Sequence, residues 1–255
     1  MTFTPMPGAA PLPAMVLAQA RMETRLILRN GEQLLLAVVI PLIVLVGSIE
    51  TAKRIDHSFA HSPVDTLTPG VLALAIMSTA FTSLAIATGF ERRYAVLKRL
   101  GSSPLPRSGL LLGKVCALLL VQALQVVVIG LAAWALGWDP TLSAPGLTGM
   151  VATAALGTAA FASLGLFVAG VLRAEATLAV ANLVYLLLMA GGAVVLPASS
   201  YGAFGDAARL LPSGALGEAM RESFLDGTLP VGHLAVLLVW AAIGTTLTVK
   251  TFKWE

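Results

Sequence analysis

The stretch GFERRYAVLKRLGSSPLPRSGLLLGK, residues 89–114, decides how this chain is read. It sets Arg92, Arg93, Lys98, Arg99, Arg107 and Lys114 in one run with Glu91 as the only acid, and long apolar segments flank it on both sides. On a helical projection Phe90, Tyr94, Val96, Leu97 and Leu100 share one arc, while Glu91, Arg92, Lys98 and Arg99 share another. Arg93 falls on the apolar side, where a long side chain can snorkel. Gly101 is a natural helix stop, and Pro104 and Pro106 block continuation. The stretch therefore predicts one amphipathic helix over residues 90–101, a rigid turn, and then a membrane span. Basic residues alone would orient a loop. A capped amphipathic helix held between two spans is in addition suited to docking in a partner's groove and transmitting a push.

The rest of the chain agrees with a membrane setting. It has 255 residues, of which 57% are hydrophobic and 11% charged, which lies outside the soluble range. A helix needs about 20 mostly apolar residues to cross the bilayer core. Six stretches qualify: 34–49 (containing Pro41), 67–90, 115–138, 145–172, 176–196 and 230–249. The expected fold is an all-α membrane protein with six transmembrane helices. The expected organisation is a flexible, uncleaved leader over 1–13, an interfacial amphipathic helix over 14–31 ended by Asn30 and Gly31, and a single transmembrane domain over 32–255. Within that domain a helical insertion over 198–229 precedes the last span. There Leu216, Met220 and Phe224 form an apolar stripe with Glu218, Arg221 and Glu222 facing elsewhere. The fourth span is rich in small residues, including a Gly165/Ala169 pair, which lets backbones approach. No internal repeat of the kind built into inverted-repeat carriers is visible.

Orientation follows the Lys and Arg residues. Arg21, Arg25, Arg29, the bases of residues 89–114, Arg173, Lys250 and Lys253 fall on one side, against Lys53, Arg54, Arg209 and Arg221 on the other. The first side is then the cytoplasm, with both termini inside and Asp56, Asp65, Asp139, Asp206, Glu218, Glu222 and Asp226 outside. Arg21, Arg25 and Arg29 recur at i, i+4 and i+8 and make one stripe on the interfacial helix.

Catalytic and metal chemistry finds little support. Cys116 is the only cysteine and lies in an apolar run, so no intramolecular disulfide forms. His57 and His61 are four apart without a third ligand, no G-x-S-x-G elbow exists, and no metal site is expected. The span centres carry no ionisable residue, unlike those of a proton-coupled carrier. Their polar side chains Gln122, Gln125, Thr153, Asn182 and Tyr185 are either interhelical hydrogen bonds or, for Gln122, Gln125, Asn182 and Tyr185, a candidate substrate path.

Glu91, Arg92, Leu97, Lys98, Arg99, Leu100, Pro104, Leu105 and Pro106 resemble the E-R-x-x-x-x-L-x-R-L-x-x-x-P motif that follows the second span of ABC type-2 exporter permeases. The resemblance extends along the chain through the basic N-terminal helix, six spans and an outside helical insertion before the last. It departs at Ala95, where such motifs often carry glycine, which predicts a more regular local helix. The resemblance implies a permease for drug, lipid or polysaccharide export that forms half of a membrane dimer, with an identical or related second permease. It also implies docking of a separate ATPase through the N-terminal helix and a coupling helix comprising Glu91, Arg92, Tyr94, Leu97, Lys98, Arg99 and Leu100. ATP and Mg would belong to that ATPase, and this chain would need no cofactor and bind no nucleic acid. In keeping with this, the nearest approach to a phosphate-binding G-x-x-x-x-G-K-[ST] loop is SGLLLGKV, which lacks the first glycine and the final hydroxyl. An intramembrane enzyme and a non-ABC carrier are the rival classes.

Overall fold

The structure, a computed structural model, describes residues 10–29, 31–54, 59, 61–100 and 105–252, and of residues 32–36 and 107 it describes the backbone alone. Residues 1–9 of the expected leader, Asn30, Asp56, His57, Gly101, Pro104 and Lys253 lie outside the described residues. The elements are helical throughout: α1 Leu12–Arg29, α2 Gly31–Arg54, α3 Pro63–Met77, α4 Leu84–Arg93, α5 Val96–Leu100, α6 Arg107–Ala135, α7 Ala144–Val171, α8 Ala174–Gly191, α9 Gly205–Arg209, α10 Pro212–Arg221 and α11 Val231–Thr251. Among the described residues there is no strand. Among the described residues, five helices are long and apolar enough to cross a membrane: Pro63–Arg93, Ser108–Ala135, Ala144–Val171, Ala174–Gly191 and Val231–Thr251. The expected first span falls within α2, a 24-residue helix that carries Pro41.

The centre of the molecule is the α3–α4 helix. Ser62 caps it, accepting from the Asp65 N–H at 3.1 Å, and Pro63 occupies its first turn, where a missing N–H costs nothing. Leu67 through Met77 are buried on every face, as expected of a helix surrounded by others. A π-helical turn, Ser78–Ser83, joins α3 to α4. There the Thr79 hydroxyl donates to the Ala75 carbonyl at 2.9 Å and to Gln125 Oε1 at 3.0 Å. Such π turns accommodate one residue more than an α turn and shift the face presented beyond them.

The fifth span is shorter than the expected 176–196. α8 stops at Gly191, and residues 192–196 are not helical, with 192–195 buried, Leu196 exposed and Ala193 at φ 53°. The Arg221 side chain compensates the lost backbone pairing. It is 4% exposed and donates to the carbonyls of Thr66 (3.3 Å), Val194 (2.8 Å) and Val195 (2.6 Å) and to Glu218 Oε1 (3.0 Å). Glu218 Oε1 also accepts from the Ala198 N–H at 2.7 Å. The expectation that Glu218 and Arg221 face away from the packed stripe is therefore corrected: these two pin a broken span, because a buried carbonyl without a donor is costly. The approach requires Gly70 of α3, where an added Cβ would lie 2.5 Å from the Val195 oxygen and 2.7 Å from the Arg221 guanidinium.

Candidate functional site: the junction at the end of the central helix

α4 does not continue to Leu100. It ends at Arg93, Ala95 takes a positive φ of 56°, and the chain restarts as the five-residue α5. The single helix expected over 90–101 is thus two helices. The reason lies at Ala95, which adopts the left-handed conformation in which a glycine would be unstrained. The same residue had suggested a more regular helix. Because the break changes the direction of the chain, the shared arcs of the 90–100 projection do not exist.

Glu91 and Arg92, within α4 before the break, face inward. The Lys114 ammonium lies 2.7 Å from Glu91 Oε1 and 2.8 Å from Glu23 Oε1, with its side chain 5% exposed. Gln19 Nε2 donates to the same Glu23 oxygen at 2.8 Å. Gln19, Ala20 and Glu23 form the buried face of α1, which packs on α6 where Gly113 leaves room, since a Cβ there would sit 2.6 Å from Gln19 Cγ. One lysine thus joins α1, α4 and α6. Glu91 Oε2 is buried without a hydrogen-bond partner, so two carboxylates compete for one cation.

Arg92 faces α7. Its guanidinium donates to the carbonyls of Ala169 (2.8 Å), Gly170 (2.5 Å) and Leu172 (2.7 Å). These include C-terminal groups that a helix cannot satisfy internally, and a cation there also meets the negative end of the helix dipole. Arg93 pairs with Glu175 in the first turn of α8. Its guanidinium carbon also lies 5.8 Å from the centre of the Tyr94 ring. Three consecutive charged residues therefore tie the end of α4 to α1, α6, α7 and α8.

What remains outward is Tyr94, 61% exposed, with Lys98 and Arg99 on α5. The Arg99 guanidinium donates to the Tyr94 carbonyl at 2.9 Å, folding α5 back on the break. Leu97 is 3% exposed and Leu100 half-buried, so Leu97 is an anchor of α5 to its own chain. Arg21, Arg25 and Arg29 are exposed on α1. In the spans, Gln122 accepts from the Thr158 hydroxyl at 2.7 Å and Gln125 donates to the Ala37 carbonyl at 2.7 Å, so both brace helices from buried positions. Tyr185 is half-buried, while Asn182 is exposed on α8. The four candidate substrate-path residues are not gathered at one surface. The SGLLLGKV segment is regular helix within α6, unlike the loop that cradles a phosphate.

Sequence reasoning missed Glu23 altogether and left Lys114 as an interface residue. A signal existed: Glu23 is the only acid in α1, and it lies four residues after Gln19, away from the arginine stripe.

A multi-pass, all-α membrane protein whose central helix ends in a charged junction and a short projecting helix is the class defined by fold and site. The chain matches the family of ABC-2 type transporters over residues 14–225 and belongs to it. The family is that of transporter membrane domains and implies a partner ATPase subunit. No curated protein matches the chain significantly.

Proposed function

We propose that this chain is the permease subunit of an ATP-driven exporter, one half of a membrane dimer that moves a hydrophobic or amphipathic substrate, drugs included. Both termini and α5 face the cytoplasm, and the insertion between α8 and α11 faces outside. A separate ATPase docks on α5 and α1, using Tyr94, Lys98 and Arg99 together with Arg21, Arg25 and Arg29, and supplies ATP hydrolysis with Mg; this chain holds no nucleotide. A second permease, identical or related, and lipid cover the apolar faces of α2 and α8, where Ile43 and Leu187 are 64% and 62% exposed.

The observation that supports this reading is the junction. A push on α5 reaches α4 directly, and through Glu91, Arg92 and Arg93 it reaches four further helices, so a small docking helix is linked to most of the bundle. Glu91 and Arg92 serve in transmission rather than in contact. The test is co-expression with an ATPase of this family and co-purification. Tyr94→Ala/Lys98→Glu should weaken capture in a salt-sensitive way, because rim charges set association, while leaving the unfolding midpoint unchanged. Capture and transport-linked hydrolysis equal to the parent's would remove α5 as the docking element.

A further inference from the structure

α1 is held to the bundle by one face. Its buried residues are Gln19, Ala20 and Glu23, and Glu23, the only acid of the helix, is spent on Lys114 at 2.8 Å. Arg21, Arg25 and Arg29 are all exposed on the helix, and among the described residues none of the three forms an ion pair. Beside this row Leu17, Met22 and Leu26 are 69%, 40% and 58% exposed. The arginines and these apolar side chains together line a cleft of about 590 Å³.

A second observation fixes the depth of this face. Near the start of α1, a Cβ added to Gly109 of α6 would lie 3.3 Å from Leu12 Cδ1. Further along, Gln19 packs on Gly113, Glu23 reaches Lys114, and Leu26, Ile27 and Arg29 share a cavity with Ala117 and Leu118. α1 thus follows α6 from Gly109 to Leu118, the first part of the 28-residue span Ser108–Ala135. At about 1.5 Å per residue that span measures about 42 Å, which covers the hydrocarbon core and both headgroup layers. α1 therefore lies beside the headgroups and the start of the acyl chains, and its exposed face looks sideways into lipid.

We propose that the exposed face of α1 is a binding surface for anionic phospholipid. Arg21 and Arg25 hold the phosphate, since a guanidinium donates to two phosphate oxygens at once. Arg29 snorkels to the same layer, and the acyl portion lies along Leu17, Met22 and Leu26. A zwitterionic lipid brings its own cation, which offsets the phosphate, so a net negative charge decides the preference. A second copy of this chain is disfavoured because it would bring the same row of positive charge. A soluble protein reaches the row only from its aqueous edge, which is the share that the ATPase takes in the exporter reading; the lipid surface goes beyond that reading and does not need it.

The test is native mass spectrometry of the purified full chain released from detergent, titrated with phosphatidylglycerol and with phosphatidylcholine of equal chain length. The parent should retain phosphatidylglycerol about tenfold more tightly. Arg21→Gln/Arg25→Gln should bring the two lipids to within about threefold of each other. Both side chains are exposed, so the unfolding midpoint should not change. Arg21→Lys/Arg25→Lys keeps the charges and should keep most of the preference. Equal retention of the two lipids by the parent, or an undiminished preference in the glutamine variant, overturns the proposal. So does displacement of the lipid by inorganic phosphate at matched ionic strength, which would make the row a site for the free ion. The chain is purified without an ATPase, so failure of the docking reading leaves the expected preference as it is, and equal retention sinks the lipid surface while docking stands.

Discussion

Lys114 holds a carboxylate oxygen of Glu91 at 2.7 Å, fastening the start of α6 to the end of α4 with a side chain almost wholly withdrawn from solvent. The same ammonium serves Glu23 of α1. Removing one partner of a buried ion pair costs about 3–5 kcal/mol because the remaining charge is left uncompensated. Lys114→Met should therefore destabilise the purified chain severely, with two carboxylates then facing each other. Adding Glu23→Gln and Glu91→Gln should recover most of the loss, since the neutral triple variant buries no charge. Thermal unfolding followed by tryptophan fluorescence compares the three; a triple variant as unstable as the single one would show that the triad matters for shape rather than charge.

Ala95 stands at φ 56° between α4 and α5. An L-residue pays about 1–2 kcal/mol in that region and glycine does not. Ala95→Gly should raise the unfolding midpoint, and Ala95→Val should lower it, since a β-branched side chain is worse still there. An unchanged or lowered midpoint for the glycine variant would mean that the break is not a backbone necessity.

Two glycine-to-alanine changes should have opposite signs. At Gly70 the new methyl would meet the Val195 oxygen at 2.5 Å, whereas at Gly47 of α2 nothing lies within 4 Å. Gly70→Ala should cost about 1–3 kcal/mol or more through displacement of the 192–196 segment and its Arg221 bonds. Gly47→Ala should gain up to about 1 kcal/mol from helix propensity. Chemical or thermal unfolding of each variant reads the sign directly, and a neutral Gly70→Ala would contradict the close approach.

Placement relative to the bilayer is tested by cysteine accessibility in a Cys116→Ser background. Lys98→Cys should be shielded from an impermeant thiol reagent in intact cells, and Ser199→Cys should react. Both positions are exposed on the surface of the chain, so the contrast reports the membrane and not burial. The reverse pattern would place the junction outside and remove the basis for ATPase docking.

The bundle was legible because hydropathy acts locally: an apolar segment of sufficient length becomes a helix in lipid whatever surrounds it. The 145–172 expectation thus differs from α7 by one residue at each end. Errors arose where the outcome depended on another segment. The projection of residues 90–100 assumed one continuous helix, and the left-handed residue at Ala95 invalidates it. The fifth span looked apolar through Leu196, yet its last turn is unwound because Arg221, some 26 residues on, supplies the donors that make an unwound backbone tolerable.

The sequence by itself determined the membrane class, the helical content and the family resemblance, since these follow from composition, hydrophobic runs and a motif of fixed spacing. Tertiary structure alone decided which charges face a partner and which hold the chain together. Glu91 and Arg92 read as surface residues from their neighbours in sequence, but Glu23, Lys114 and the carbonyl end of α7 reach them from helices distant in the chain. Whether a charged side chain is solvated or buried in a pair is fixed by what other elements bring within about 4 Å, and no local pattern encodes that.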